Sequence, residues 1–433
     1  MLTAFGLPMW ICLAYLFVLG ATVGSFLNVC IYRIPTQADS SIWKQLYAIV
    51  SPRSRCPRCL NHIPPWANVP ILGWLMLRGR CYHCKGWISP RYPLIEFGNG
   101  ALWALVYWMT IPNGFGVDIT DSQSVGIFGP QATGYLETRS ILHWRYFYHM
   151  VLIEALVVAS FIDFDLKIIP DGSTLPAMCV GVLGAVSLGN LYLTPVWHQD
   201  PLARNELRRL MPEWLQFTII RGVVPDWVLE WPHLHGLAVS LAGLVVSAGV
   251  VWAVRIMGHW AVGREAMGFG DVILMAMVGS FLGWQAGVLV FFFAPAVALV
   301  VVVFTFLTRR EREIPFGPYL SIAALLVVLF WKQISDATSQ IFGSGPILIV
   351  MGVMLAVLFP ITMRAFRIIL EALGLASYDE ETYEDWTSAD HLIHFEGETV
   401  DPDHGRWKEN AWPGRNSGRG WTQYDTWRNG PQL

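Results

Sequence analysis

Charged residues are scarce in this sequence: they make up 14% of its 433 residues, against about 25% in an ordinary soluble domain. Hydrophobic residues make up 54% of the chain. This composition argues against a soluble globular protein and favours one that lies largely in lipid. The formal net charge of −3 shows no basic excess of the kind that nucleic-acid binding requires, so we expect no nucleic-acid partner.

Long apolar runs recur at the length of about 20 residues that crosses a bilayer. They predict an all-α polytopic membrane protein with eight to nine transmembrane helices. The first run lacks the basic start and the clear cleavage site of a signal peptide, so we expect a membrane helix there. The sixth run is too short to cross unless its helix extends or tilts. The runs lie near 8–32, 94–111, 147–163, 174–193, 234–256, 271–284, 286–307, 319–335 and 346–361.

Polar stretches divide the chain into four parts. Residues 1–32 form a first transmembrane helix, and residues 33–93 form a small cytoplasmic domain. Residues 94–373 form a multi-helix membrane core that contains a polar insertion at 194–233. Residues 374–433 form a tail with twelve acids and five bases, which we expect to be mostly disordered because it has no apolar period.

The basic residues predict the orientation of the chain in the membrane. The segment 33–93 has nine bases against the single acid Asp39, and such segments stay in the cytoplasm. The N-terminus then lies outside, and the loops near 163–170, 255–270 and 308–318 lie inside.

The insertion 194–233 lies outside in this orientation, although its four arginines run against the charge rule. It contains an amphipathic pattern with helical spacing, which fits either a helix on the membrane surface or one packed on the protein. The residues of that pattern are Leu207, Leu210, Met211, Trp214 and Leu215.

Four of the seven cysteines form two Cys-x-x-Cys pairs, Cys56 with Cys59 and Cys81 with Cys84. Each pair supplies two thiolates from one tight turn, and two such turns complete a tetrahedral zinc site. Two disulfides are the alternative, but they are rare in the cytoplasm, where this segment is predicted to lie. Because four thiolates leave no open position on the metal, the zinc would be structural.

Two aspartates lie at the predicted cytoplasmic ends of membrane helices. Burial of an acid in a membrane costs free energy, so such residues usually have a specific role. Asp163 ends the third apolar run, and Asp271 begins the sixth within a Gly-x-Gly-Asp sequence. Two carboxylates held close share a proton, so one serves as base and the other as acid. Such a pair can activate water to attack a peptide carbonyl. Gly268 and Gly270 would let the backbone approach a substrate closely and take strained dihedral angles.

These and other acids also have different interpretations. Asp165 is suited to face water, and Asp171 is placed to cap the next helix. Glu96 and Glu154 fit acids that bond to neighbouring helices. The aspartate pair itself fits a second class of protein, because intramembrane acids commonly mark a proton or ion path in a transporter. A non-catalytic membrane scaffold is a further alternative.

Several motifs follow one another along the chain: Gly24-Ser25-Phe26-Leu27-Asn28-Val29, Asn68-Val69-Pro70-Ile71-Leu72-Gly73-Trp74-Leu75 between the two cysteine pairs, Ile88-Ser89-Pro90-Arg91-Tyr92-Pro93-Leu94-Ile95-Glu96, the stretch from Asp163 to Pro176, Gly263-Arg264-Glu265-Ala266-Met267-Gly268-Phe269-Gly270-Asp271 and Ile314-Pro315-Phe316-Gly317-Pro318. In this order they resemble the bacterial prepilin peptidases, also called type IV leader peptidases. The resemblance extends over residues 10–330.

The resemblance implies a membrane aspartic endopeptidase in the bacterial inner membrane. Its substrates would be type IV prepilin or pseudopilin precursors, which lose a short basic leader on the cytoplasmic side. Asp163 and Asp271 are then the catalytic residues, and the metal ligands are Cys56, Cys59, Cys81 and Cys84. Many members also methylate the new N-terminus with S-adenosylmethionine, so we expect that activity too, although no glycine-rich turn or single residue identifies a site for the cofactor.

Three features depart from the family pattern. Ile273 stands two residues after the second aspartate, where the family usually has a lysine. The contacts that this lysine would make to substrate or to a carboxylate near Asp271 are therefore not expected here. The assignment of Asp271 itself does not depend on them. The insertion 194–233 is longer than expected between the two catalytic segments. The tail from Gly374 onward matches nothing in the family.

Overall fold

The fold is described by a computed structural model that covers residues 8–372 except 38–40, 52–53, 57–58, 60, 112–134, 190, 197–204, 207, 210–211, 213–226, 228–229, 263–266, 308–314 and 343–346. The predicted tail lies outside the described residues, as do most of the insertion 194–233 and its amphipathic pattern. The described helices are α1 (Met9–Arg33), α2 (Ile42–Val50), α3 (Leu72–Met76), α4 (Arg91–Thr110), α5 (Tyr135–Leu166), α6 (Asp171–Leu188), α7 (Pro232–Val262), α8 (Phe269–Leu282), α9 (Trp284–Leu307), α10 (Gly317–Leu329), α11 (Trp331–Phe342) and α12 (Ile347–Ala372).

The prediction of an all-α polytopic membrane protein is confirmed. Every predicted apolar run coincides with a described helix. Five described helices are long and apolar enough to cross a membrane: α1, the Leu142–Leu166 part of α5, α6, and most of α7 and α9. The number is six if α10 and α11, which meet at a bend of 85°, count as one span. The eighth predicted run is therefore bent, because α10 ends at Leu329, with Phe330 as its C-cap, and α11 starts in a new direction at Trp331.

The core of the membrane part forms around α8. Every residue of α8 from Asp271 to Leu282 except the half-buried Ile273 is buried, and α8 packs against α5, α6, α7, α9 and α10. A helix that is apolar all round belongs in the interior. The α7 and α8 backbones meet at Gly243 and Gly279, where a side chain on either residue would overlap the other's carbonyl; small residues allow such close packing of membrane helices. With 14 residues, α8 does not extend beyond the short run predicted for it.

The N-terminal helices form a second packing unit in which α1 and α4 run antiparallel. Phe17 of α1 contacts Gly100 of α4, and Gly24 lies against Glu96. Further toward the Arg33 end of α1, Asn28 Nδ2 donates to the Tyr92 carbonyl at 3.2 Å. These pairings show that α4 packs along α1 over several turns.

Residues 54–90, here called the cysteine domain, connect α2 to α4. Two isolated bridges, Arg55 with His62 and Arg80 with Trp87, close its two cysteine-bearing turns. Apart from such bridges, the described residues contain no β-structure. The domain is joined to the membrane part at Ile71, whose N–H donates to Glu96 Oε2 at 2.6 Å.

Candidate active site and metal centre

Asp163 and Asp271 come together where α5 ends and α8 begins. Asp163 is in the last turn of α5 and is 5% exposed, and Asp271 is in the first turn of α8 and is 8% exposed. The two side chains lie close enough for their charges to act on each other. Residues 108 positions apart in the sequence therefore form one carboxylate pair at a shared end of the helix bundle.

Each carboxylate of the pair lies at the N-terminus of a helix. Asp163 Oδ2 accepts the Gly317 N–H, at the first residue of α10, at 3.1 Å. The carboxylate of Asp271 accepts a backbone hydrogen bond from Gly268, the N-cap of its own helix α8. The first N–H groups of a helix have no partner within it, and the helix dipole attracts negative charge there. Both acids are thus fixed by donors that suit a carboxylate.

The glycines around the pair are needed for close packing. A Cβ on Gly270 would lie 3.1 Å from Ile169 Cβ, and a Cβ on Gly317 would collide with Asp163 Oδ2 and lie 3.3 Å from Ile169 Cδ1. The prediction that Gly268 and Gly270 take strained dihedral angles is wrong, because neither is among the described residues with positive φ. Gly268 is an extended N-cap with φ −71° and ψ 154°, and Gly270 is in the helix, so its small size is what matters.

The two other acids of this region have different surroundings. Asp165 Oδ2 accepts from Arg91 Nη2 at 2.5 Å, and the Arg91 guanidinium lies 5.3 Å from the centre of the Phe161 ring. The prediction that Asp165 simply faces water is therefore wrong, because α4 supplies a cation. Asp171 is exposed and is the first residue of α6, while Pro170 is the N-cap and no side chain caps the helix. The predicted side-chain cap is wrong, and Asp171 adds negative charge to the first turn instead.

Buried Glu96 and half-buried Glu154 both bond to neighbouring segments. Glu154 of α5 accepts from Asn99 Nδ2 at 3.0 Å and from Trp103 Nε1. Asn99 and Trp103 both belong to α4, so this prediction is confirmed for Glu154. Glu96 accepts from the cysteine domain, as described above, and also bonds to Ser25 of α1.

The four predicted cysteine ligands form one cluster. The Sγ atoms of Cys56, Cys59, Cys81 and Cys84 all lie within 4.8 Å of one another, and those of Cys56 and Cys84 are 3.8 Å apart. None of the four cysteines is in a disulfide, so the alternative of two disulfides is not formed. Four sulfurs about 2.3 Å from a central zinc lie about 3.8 Å apart in a tetrahedron. The cluster therefore fits a zinc ion.

The surroundings of the cluster favour the thiolate form at Cys81, whereas burial raises the pKa of the Cys84 thiol. The Cys56 N–H donates to the Asn61 carbonyl at 3.0 Å, and the Cys81 N–H donates to the Gly86 carbonyl at 2.8 Å, so each turn folds back on itself. Burial alone would raise the pKa of the Cys81 thiol, but hydrogen bonds from the Cys84 and His83 backbones outweigh it and lower the pKa to about 7. A thiolate is the form that binds metal.

Sequence reasoning missed three residues that organise this end of the molecule. Gly317 was noticed only as part of a motif, although a glycine between a phenylalanine and a proline was a signal of close packing. Arg91 was likewise noticed only within its motif, and its partner Asp165 is 74 residues away. Gln45 gave no signal at all, yet it is 2% exposed and its Oε1 accepts the Gly172 N–H at 2.8 Å.

Two family profiles match this chain. Residues 18–110 match the Bacterial Peptidase A24 N-terminal domain, and residues 209–304 match the Type IV leader peptidase family. The first match includes all four clustered cysteines, and the second includes Asp271. No solved structure matches the chain.

Curated relatives match over most of their length. A prepilin leader peptidase/N-methyltransferase of Stutzerimonas stutzeri is 30% identical over 342 residues, which are 75% of this chain and 92% of the relative. The protein of the same name from Aeromonas salmonicida is 29% identical over 354 residues, 77% of this chain and 95% of the relative. That from Pseudomonas aeruginosa is 28% identical over 343 residues, 75% and 92% of the two chains.

Proposed function

This chain belongs to the prepilin leader peptidase family, and we propose that it removes the leader from type IV prepilin or pseudopilin precursors with Asp163 and Asp271. The observation that supports this most is the meeting of these two buried acids at one end of the bundle. The chain is a multi-pass membrane protein. We place it in the bacterial inner membrane, with the aspartates toward the cytoplasm. Nothing in the comparisons favours a transporter or a scaffold.

In the proposed reaction the aspartates act as one acid–base pair with a single proton between them. The ionised carboxylate takes a proton from water as the water oxygen bonds to the scissile carbonyl carbon. The protonated partner then gives its proton to the nitrogen as the C–N bond breaks, which releases the leader and a free amine. The Gly317 N–H keeps Asp163 in one orientation throughout.

We further propose that the four cysteines hold one structural zinc ion. When bound, the metal joins the two cysteine-bearing turns, and in a domain of this size its binding contributes much of the folding free energy. Four thiolates complete the tetrahedron and leave no position for water or substrate. The metal centre therefore has no direct part in peptide cleavage.

Methylation of the new N-terminus is the second proposed activity, with S-adenosylmethionine as the donor. It is supported by the printed names of the relatives, which combine leader peptidase with N-methyltransferase. In this step the amine nitrogen takes the methyl group from the sulfonium and releases a proton. The aspartate pair is not needed for it, so methylation of a precut substrate separates the two activities.

The direct test is to incubate the purified chain in proteoliposomes with a type IV prepilin. We expect mass spectrometry to show a product that lacks the leader, and a second product heavier by one methyl group when S-adenosylmethionine is added. A curated relative from Pseudomonas aeruginosa serves as the positive control. A precursor that the relative cuts and this chain leaves intact, across several prepilins and pseudopilins, would contradict the proposal.

A further inference from the structure

The short helix α3 of the cysteine domain has an apolar face that no described residue covers. Leu72, Leu75 and Met76 are 58%, 55% and 68% exposed. The opposite side of α3 is anchored, since Trp74 Nε1 donates to the Ile88 carbonyl at 3.0 Å and Gly73 packs on Ala67. The exposed face is thus held in a fixed direction, away from the rest of the domain.

The anchor of this segment lies below the surface of the membrane. Ile71, the N-cap of α3, donates its N–H to Glu96. Glu96 is five residues inside the start of α4 at Arg91, which is about 7 Å along a helix. It also packs on Gly24 of α1, nine residues or about 13 Å inside the Arg33 end. Because α1 is long and apolar enough to cross the membrane, a spanning α1 with Arg33 at the headgroup layer places the Glu96 backbone within the hydrocarbon, and Ile71 is bonded to the side chain of that residue.

The surface of the protein at that depth is apolar. Phe26 of α1 and Leu94 and Phe97 of α4 are 53%, 65% and 55% exposed. These residues are one or two positions from Gly24 or Glu96 in the sequence, and exposed apolar side chains at that level are suited to contact lipid.

The backbone of the segment is suited to a non-aqueous environment. Irregular backbone at membrane depth occurs only where protein or a water-filled cavity surrounds it, so the lipid-exposed part of such a segment must be helical, as Leu72–Met76 is. The N–H groups of Ile71, Leu72, Gly73 and Leu75 all donate, to Glu96, Pro70, Val69 and Ile71 respectively. Ile71 keeps its place although its φ of 61° is costly for a β-branched residue, which indicates that the Glu96 bond determines the conformation.

Basic residues come directly after the apolar face. Arg78 and Arg80 are both exposed, two and four residues beyond Met76. Cations at this position can reach the headgroup layer from an apolar segment that lies beneath it. The order of exposed residues, first apolar and then basic, matches the order of acyl chains and anionic headgroups.

We infer that residues 69–76 form a re-entrant wedge whose Leu72, Leu75 and Met76 side chains lie among the lipid acyl chains of the leaflet on the side of the cysteine domain. The cysteine domain is then partly immersed in the membrane and does not stand free of it. This inference does not depend on the peptidase activity, because it rests on depth, exposure and charge alone.

The test uses the photocrosslinker p-benzoylphenylalanine, placed singly in the full chain in proteoliposomes of phosphatidylethanolamine and phosphatidylglycerol. Met76 is the first position, and Leu75 is the second in case the Met76 variant does not assemble. Lipid-facing Leu94 of α4 is the positive control, and exposed His62 of the first cysteine turn is the matched negative control. Each variant is first checked for a single peak on size exclusion.

After illumination, mass spectrometry of the intact protein should show phospholipid adducts at Met76 and Leu75 at a yield comparable with Leu94 and above His62. Adduct yields at both positions that equal the His62 yield would overturn the inference. So would crosslinks from these positions to a second copy of the chain in place of lipid, because the face would then be a protein interface.

Discussion

A single glycine amide determines how Asp163 is held. The Gly317 N–H donates to Asp163 Oδ2, and the absence of a Cβ on Gly317 leaves room for that oxygen and for Ile169. Asp271 has a comparable donor in its own N-cap, Gly268. The orientation of the proposed acid–base pair therefore depends on backbone groups, which side-chain patterns in the sequence do not reveal.

Replacing Gly317 with alanine should lower the rate of leader cleavage by about 10- to 100-fold, because a misplacement of about 1 Å at a catalytic group has an effect of this size. The expected cause is displacement of Asp163, since the new methyl group would collide with Oδ2. Rates are compared by mass spectrometry at equal amounts of inserted protein.

Gly98→Ala is the matched control for this variant, because nothing lies within 4 Å of a Cβ at that helical position. It should cleave at the rate of the unmodified chain. A Gly317→Ala variant with the same rate as Gly98→Ala would show that the amide contact does not position the acid.

Helices and their ends could be predicted from the sequence to different extents. Apolar runs of membrane length predicted every helix of the membrane part, since a span must satisfy its backbone internally. The two cysteine pairs and the aspartates at helix ends were found because spacing and burial cost limit what such residues can do. The bend at Phe330 and the pairing of Arg91 with Asp165 depend on tertiary packing between distant segments, and no local pattern contains that information.

The Arg91–Asp165 ion pair joins the start of α4 to the end of α5, two residues from Asp163. Its side chains are 16% and 18% exposed. Asp165→Asn should lower the free energy of unfolding by about 1.5–3 kcal/mol, the range for a hydrogen bond to a charged group. It should keep most of the cleavage activity, because Asp165 does not belong to the carboxylate pair.

Thermal unfolding in detergent, followed for Asp165→Asn, Arg91→Met and the double variant, measures the coupling between the two residues. A non-zero interaction energy is expected, since each single change removes the same contact. Strict additivity of the two single effects would show that the ion pair contributes nothing to stability.

The cysteine domain should bind one zinc ion per chain, as determined by elemental analysis of the purified, reduced protein. Cys59→Ala should lose the metal, because three thiolates remain in place of four. Cys179→Ala is the control, since that exposed thiol lies outside the cluster. A folded, reduced protein without zinc would contradict the assignment of the metal.

The whole molecule has two units in the membrane, the α1–α4 pair and the bundle around α8. They are joined by Glu154, which accepts from Asn99 and Trp103, and by the Arg91–Asp165 pair. The family profiles divide the chain in a similar way, with one match in the N-terminal unit and one in the bundle. The orientation of the whole assembly remains a prediction from charge.

That orientation can be tested in intact spheroplasts with a thiol reagent that does not cross membranes. Single cysteines are introduced near Gln199 and near Glu311, two positions outside the described residues. The reagent should label the first and not the second, because the basic loop around 308–318 is predicted to be cytoplasmic. Labelling is read against the parent chain, whose native thiols give the background, and the reverse pattern would overturn the orientation.

The central claim is that Asp163 and Asp271 cut the precursor together, and the most direct measurement is prepilin cleavage by Asp163→Asn, Asp271→Asn and the double variant. Asparagine keeps the size of the side chain but cannot share a proton as a carboxylate does. Each single variant should lose about a thousandfold or more in rate, and the double variant should be little worse, because residues that act as a unit are not additive. Asp165→Asn and Asp171→Asn should remain active. Full cleavage by Asp163→Asn together with an inactive Asp165→Asn or Asp171→Asn would contradict the account.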